Sequence, residues 1–248
     1  MKRISVFSFK MALCLWLIPV AVAGQDTIDF PLRLGVGAAL YSPVSAAAGL
    51  YPRGVEINGF YDLNERFSLA VDGGFTSFMY ENYNYRYEND GVYFRMGADY
   101  NLLNPLLARG RYYAGISLKY GITLFSHKAP SIGYENYWGS YVTSGESSFQ
   151  TAHFLEASPG IRAEIFKNFF IGWSVNLRLL AFSGTGKHMR AVDVPGFGNG
   201  SKPISGGFNY YLSIRIPYRT KRVIYIKPVR ETEEDETDPD RQNIGSIR

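Results

Sequence analysis

The chain has 248 residues, 26 of them Lys or Arg and 22 Asp or Glu, with 16% aromatic residues and one cysteine. That length suits one large domain or two small ones, and a lone cysteine excludes a disulfide framework or a Cys-ligated metal centre. The 19 Tyr and 17 Phe are many for a soluble protein and ordinary for a barrel with aromatic girdles.

The N-terminus has the parts of a secretory signal. Lys2, Arg3 and Lys10 form a basic start, Met11 to Val20 an apolar run, and Ala21-Val22-Ala23 a small-x-small cleavage site. Cleavage is therefore expected between Ala23 and Gly24. The apolar run falls short of the ~20 residues of a spanning helix. Cys14 lies inside it, behind Leu13 rather than the small residue a lipoprotein signal requires, so cleavage removes the thiol. Loss of Lys2, Arg3 and Lys10 also takes the formal charge from +4 to +1, too small a surplus to point to nucleic acid.

From Phe30 onward the chain alternates with period two, the mark of strands with two different faces. Eight runs follow in order: Phe30–Tyr41, Gly54–Asp62, Phe67–Tyr80, Val92–Leu102, Tyr112–Phe125, Phe154–Phe166, Phe169–Phe182 and Phe208–Tyr218. One face of each is uncharged. It holds Leu32, Leu34 and Val36 in the first run, Val92, Phe94 and Met96 in the fourth, and Ile171, Trp173 and Val175 in the seventh. The other face mixes Gly, Ala and Ser with nearly all the charges, which suits a narrow, filled interior. The links after runs two, four and six are short (Leu63–Arg66, Leu103–Arg111, Lys167-Asn168). Those after the odd runs are longer, the largest being Ser126–His153 and Ser183–Gly207. Short periplasmic turns alternating with long outer loops are the pattern of a membrane barrel.

The fold expected is therefore all-β: an eight-stranded antiparallel up-and-down transmembrane β-barrel with a cleaved N-terminal signal peptide. Residues 1–23 are the signal, 24–221 the barrel and 222–248 a periplasmic tail. Glu231 to Asp240 in that tail holds seven acidic residues in ten and no aromatic. It cannot bury a core and is expected to stay disordered or to bind a periplasmic partner.

The inward faces carry Arg33, Arg95, Lys119, Arg162, Arg178 and Arg215 against Glu56, Asp62, Asp72, Asp99, Glu156 and Glu164. Six oppose six, and a buried charge persists when paired or hydrated. The expectation is a salt-bridged polar plug in a closed lumen; the rival is a small gated channel. His127, His153 and His188 are assigned to the outer rim and loops, as water-exposed residues. Ser126, His127 or His153 would be the groups of an outer-leaflet lipid-modifying enzyme, though neighbours in a strand face opposite ways. Tyr80, Tyr83, Tyr85, Tyr87, Tyr134, Tyr137, Trp138 and Tyr141 are assigned to outer loops, with girdle and loop packing as their role. Gly184-Thr185-Gly186-Lys187 lacks the following Ser or Thr of a phosphate loop, Gly196-Phe197-Gly198-Asn199-Gly200 is read as a flexible loop, and Asn199-Gly200-Ser201 as a sugar-acceptor pattern without force in this compartment.

Five segments carry a resemblance: Gly97-Ala98-Asp99-Tyr100-Asn101-Leu102, Lys119-Tyr120-Gly121, Ile171-Gly172-Trp173-Ser174-Val175, Val194-Pro195-Gly196-Phe197-Gly198 and Gly207-Phe208-Asn209-Tyr210-Tyr211. Over Val92 to Tyr218 the chain resembles an uncharacterised family of small outer-membrane barrels from the Bacteroidota. That resemblance implies a domain of unknown function and supplies no catalytic residue, cofactor or ligand. The sequence reading is thus a monomeric, non-enzymatic protein of the bacterial outer membrane. Its neighbours are lipid and, for the tail, a periplasmic partner, with no cofactor, metal or nucleic acid.

Overall fold

The computed structural model describes residues 25–40, 52–184 and 191–226. The signal segment with its Ala23–Gly24 junction, His188 and the acidic tail lie outside the described residues. Residues 28–223 form one compact unit, and the described residues 25–27 and 224–226 belong to another.

Among the described residues, eight strands close on themselves: β1 (Gln25–Ala39), β2 (Arg53–Asp62), β3 (Phe67–Asn82), β4 (Tyr85–Asn101), β5 (Tyr112–Asn136), β6 (Gly139–Phe166), β7 (Phe169–Ser183) and β10 (Ile204–Ile226). Each pairs with its neighbour in sequence, and β1 meets β10 to complete the ring. Two short strands, β8 (Asp193–Val194) and β9 (Gly198–Asn199), make a separate hairpin between β7 and β10. One helical turn, α1 (Pro105–Ala108), bridges β4 and β5. Asn104 caps it by accepting from Leu106 N, and Pro105 starts it where no backbone donor is needed. The other turns at this end are tight: Asn64 Oδ1 accepts from Arg66 N and Phe67 N, and Asn168 turns the chain with φ 66°.

The two faces differ as the alternation predicts. Leu118, Met96, Ile57 and Leu177 point outward and are more than half exposed, while Arg95 and Asp72 point inward and are 1% exposed. A sheet that exposes its aliphatic face and buries its charges is the inverse of a soluble sandwich. Its outer surface fits hydrocarbon, where closure satisfies every backbone group. Aromatic pairs mark the short-turn end of this band: Tyr61 stacks on Tyr218 at 5.1 Å, and Phe67 lies 4.9 Å from Tyr100.

Several sequence-based boundaries change; β1 starts at Gln25 rather than Phe30 and β10 at Ile204 rather than Phe208. β4 starts at Tyr85 rather than Val92, β5 runs to Asn136 rather than Phe125, and β6 starts at Gly139 rather than Phe154. The expected loop Ser126–His153 is thus a hairpin, paired down to Asn136↔Gly139, and β4 pairs along it to Tyr85↔Ile132. Beyond the apolar band both faces can be polar, so backbone pairing continues where alternation fades. β10 continues to Ile226, past the expected end of the barrel at 221. In β1, Leu32 and Arg33 are both buried. Two sequence neighbours cannot both face inward in a strict period-two strand, so the pleat slips here and Leu32 leaves the outward face assigned to it.

Candidate functional site

The lumen is filled in three layers, and the strand register builds the middle one. Pairing sets Asp72 beside Arg95, Lys119 beside Glu156, and Glu156 beside Arg178, so opposite charges are neighbours across each junction. Arg95 is the hub. Its Nη2 meets Glu56 Oε2, its Nη1 lies 2.7 Å from Glu156 Oε2, and its Nε lies 3.3 Å from Asp72 Oδ2. Lys119 Nζ reaches Asp72 Oδ2 at 2.6 Å, and Arg178 Nε reaches Glu156 Oε2 at 2.6 Å. Neutral donors complete the carboxylates. Tyr93 OH and Asn209 Nδ2 donate to Glu56, Asn58 Nδ2 to Glu56 and Asp72, and Ser158 Oγ to Glu156. Three cations thus face three carboxylates, and every oxygen of those carboxylates accepts at least one hydrogen bond, which favours a buried ionic group.

The layer toward the short turns holds the other six charges and is looser. Arg33 Nη2 lies 3.3 Å from Glu164, Arg215 Nη1 3.5 Å from Asp62, and Arg162 Nη1 4.0 Å from Asp99. Aromatic faces supply what the carboxylates do not. The Arg215 guanidinium sits 4.2 Å from the Phe60 centroid, that of Arg162 4.3 Å from Tyr113, and that of Arg33 4.8 Å from Phe170. Each of the two ionic layers encloses a cavity of about 30 Å³.

The outer layer is the part that sequence reasoning missed. The stretch taken as a flexible loop, Gly196 to Gly200, is the turn and second strand of the β8–β9 hairpin, folded into the barrel mouth. Phe197 is fully buried 5.7 Å from Phe154, and Val194 and Ala191 join Phe125 and Ala152 in the same apolar cluster. Glycine is required at the turn: Gly196 has φ 75°, and a β-carbon there would strike the Tyr93 ring. Polar contacts fix the hairpin to the wall. Arg178 Nη1 donates to Phe197 O at 3.3 Å, Asn89 Nδ2 to Asp193 O, and Val192 N to Tyr87 OH at 3.2 Å. The available signal was Val194 and Phe197, large apolar residues in an expected loop, which ask for burial.

The histidines separate rather than converge. His127 is buried in the lumen, not in water: its Nδ1 lies 3.2 Å from Tyr87 OH and its Nε2 3.2 Å from Gln150 Nε2. His153 faces outward, 2.8 Å from Tyr120 OH. Ser126 faces outward from the β5 position next to His127, so these two stand on opposite sides of the wall, while His153 shares the outward side with Ser126 but pairs with Ile122, four positions along β5. Tyr87, assigned to an outer loop, is likewise fully buried inside. Among the described residues, no group of three or more His, Cys, Asp or Glu is placed to hold a metal.

A cavity of about 420 Å³ lies beside the hairpin, lined by Asp193, Arg178, Asn176, Asn209, Tyr93 and Val194 among others. Burial pushes the Asp193 carboxyl up to about 7, against a smaller opposing pull from Arg178. A larger hollow of about 620 Å³ is lined by Met96, Leu118, Leu155 and Leu177 on the apolar outer face; acyl chains suit it, and it has no bearing on the polar interior.

The profile of one family, described as a domain of unknown function (DUF6048), matches residues 4–221. No curated protein matches. Among solved structures the chain is similar to the attachment invasion locus protein Ail of Yersinia pestis, at 13% identity over 81% of this chain and 99% of that one, with a TM-score of 0.38. It is also similar to Neisserial surface protein A, at 14% identity over 78% and 99%, with a TM-score of 0.34. A third is the N-terminal β-barrel domain of Pseudomonas aeruginosa OprF, at 12% identity over 76% and 100%, with a TM-score of 0.34. At these scores the likenesses carry no argument, and the fold rests on the chain's own strand pairing.

Proposed function

The chain belongs to this family of unknown function, DUF6048, and we propose from its geometry that it is an integral bacterial outer-membrane protein with a closed lumen, acting through its outer hairpins. The observation that carries this reading is the partition of side chains, with aliphatics exposed outward and twelve charges turned inward. Closure is supported by the two ionic layers, because the cavity of about 30 Å³ in each is the volume of roughly one water. Contact beyond the membrane is supported by the β5–β6 tip, where Tyr137 and Trp138 are 93% and 88% exposed. The acidic tail is assigned to a periplasmic partner on its charge alone.

Two experiments test this. The mature protein should fractionate with outer membranes and migrate differently on gels with and without boiling; recovery in the soluble fraction without detergent would overturn the placement. In planar bilayers it should show no steady conductance. A steady current that responds to Arg95→Ala would instead establish the channel reading. The lipid-modifying alternative predicts a change in lipid A mass when the gene is deleted, and the separation of His127 from His153 speaks against that pair working together.

A further inference from the structure

We propose that the cavity in the barrel mouth is a binding site for a small organic ammonium ion, with the Asp193 carboxylate as its counter-ion. Charge balance within the lumen leads to this assignment. In the middle layer Arg95, Lys119 and Arg178 are matched by Glu56, Asp72 and Glu156. Asp193 stands outside that balance. Among the described residues no cation lies within ion-pair distance of its carboxylate, and Arg178, which lines the same cavity, is already bound to Glu156 and to the Phe197 carbonyl. A mostly buried carboxylate without a counter-ion is costly, and burial is what raises its proton affinity. A bound cation removes the cost.

The size and lining of the space decide which cation. About 420 Å³ lies in the range of small-molecule sites and far exceeds a bare ion. Lone Asp193 is also a poor metal site, since hard cations take several oxygen ligands. Ala39 and Val194 offer apolar wall. An amine on a short carbon body suits the size, the single carboxylate and this wall. The groups facing Asp193 across the cavity come from three strands: Arg178 of β7, Glu56 of β2 and Tyr93 of β4. Glu56 already accepts from Arg95, Tyr93, Asn58 and Asn209, which leaves Asp193 to meet the ligand.

The site adjoins the outer side of the middle ionic layer, whose Glu56 and Arg178 line it. The test is calorimetric titration of the mature barrel in an uncharged detergent with n-butylamine, n-butanol and butyrate. Butylamine should bind, and the alcohol and the acid should not. Binding should weaken as pH falls below about 7, as Asp193 takes up its proton. Asp193→Asn keeps the shape and removes an unpaired charge, so it should fold, as its heat-dependent gel mobility will show. It should bind butylamine on the order of tenfold more weakly or worse, as loss of one charge-assisted bond implies. Glu65→Gln, which removes a carboxylate from the β2–β3 turn, should leave binding unchanged. Equal binding of amine and alcohol, no binding of the amine, or amine binding that Asp193→Asn leaves intact would each overturn the assignment.

Discussion

Replacing Arg95 by Gln should destabilise the barrel by about 3–5 kcal/mol, the usual cost of removing one partner from a buried ionic group. The structure says which carboxylate is stranded. Asp72 keeps Lys119 at 2.6 Å and Glu156 keeps Arg178 at 2.6 Å. Glu56 loses its ion pair and is left with Tyr93 and two amides. Arg95→Gln combined with Glu56→Gln should therefore recover most of the loss, because two cations then face two carboxylates. Arg95→Gln with Glu156→Gln should not, because it strands Arg178 as well as Glu56. The assay is urea unfolding in lipid vesicles followed by tryptophan fluorescence, with Trp173 on the outward face of β7 as a reporter. If both double variants recover equally, or if Arg95→Gln alone costs under about 1 kcal/mol, the charges are individually hydrated and the view of a dry, matched layer fails.

Three further outcomes are expected. Leu118→Arg, at a position 60% exposed, should cost about 2–4 kcal/mol in a bilayer, whereas a water-washed strand would tolerate it; vesicle unfolding reads the difference. Phe197→Ala removes the buried ring of the mouth hairpin and should cost about 3–5 kcal/mol. Gly196→Ala drives a side chain into Tyr93 at positive φ. Both should expose the β7–β10 connection to protease before the barrel itself unfolds, and cleavage at wild-type rates would refute the packing. For Asp193 the folded-state value of about 7 lies above the ordinary 3.8, so the native form holds a proton that the unfolded form has released. Its stabilising effect is full below 3.8, falls as pH rises toward about 7 and is absent above. Protease resistance of the hairpin should accordingly be greater at pH 5 than at pH 8, and Asp193→Asn should flatten that dependence.

Much of the barrel wall could be read from residue order because the two sides of each strand meet different solvents. Val92, Phe94 and Met96 alternate with Tyr93, Arg95 and Gly97 for that reason, and the positions of the inward charges follow from the same parity. Legibility ends where that contrast ends. Past the band, Tyr134 and Tyr141 pair across β5 and β6 with water available to both faces, so nothing in the pattern announces a strand. Leu32 and Arg33 defeat parity because the pleat slips between them. The hairpin in the mouth has no periodicity to detect: Val194-Pro195-Gly196-Phe197-Gly198 is shaped by a left-handed turn and by the Phe125–Phe154 surface below it, which strands distant in sequence provide. Asp193 was invisible for the same cause, since its surroundings exist once that hairpin is seated.

The length of β5 sets a distance. Leu124 is the last outward aliphatic of the apolar run, and the strand continues to Asn136. At ~3.3 Å per residue and a tilt of ~40°, the tip stands on the order of 30 Å above the hydrocarbon. Tyr137 and Trp138 are thus too high to serve as girdle residues, the role their composition suggested. On the proposed orientation they stand clear of the membrane on its outer side, 93% and 88% exposed.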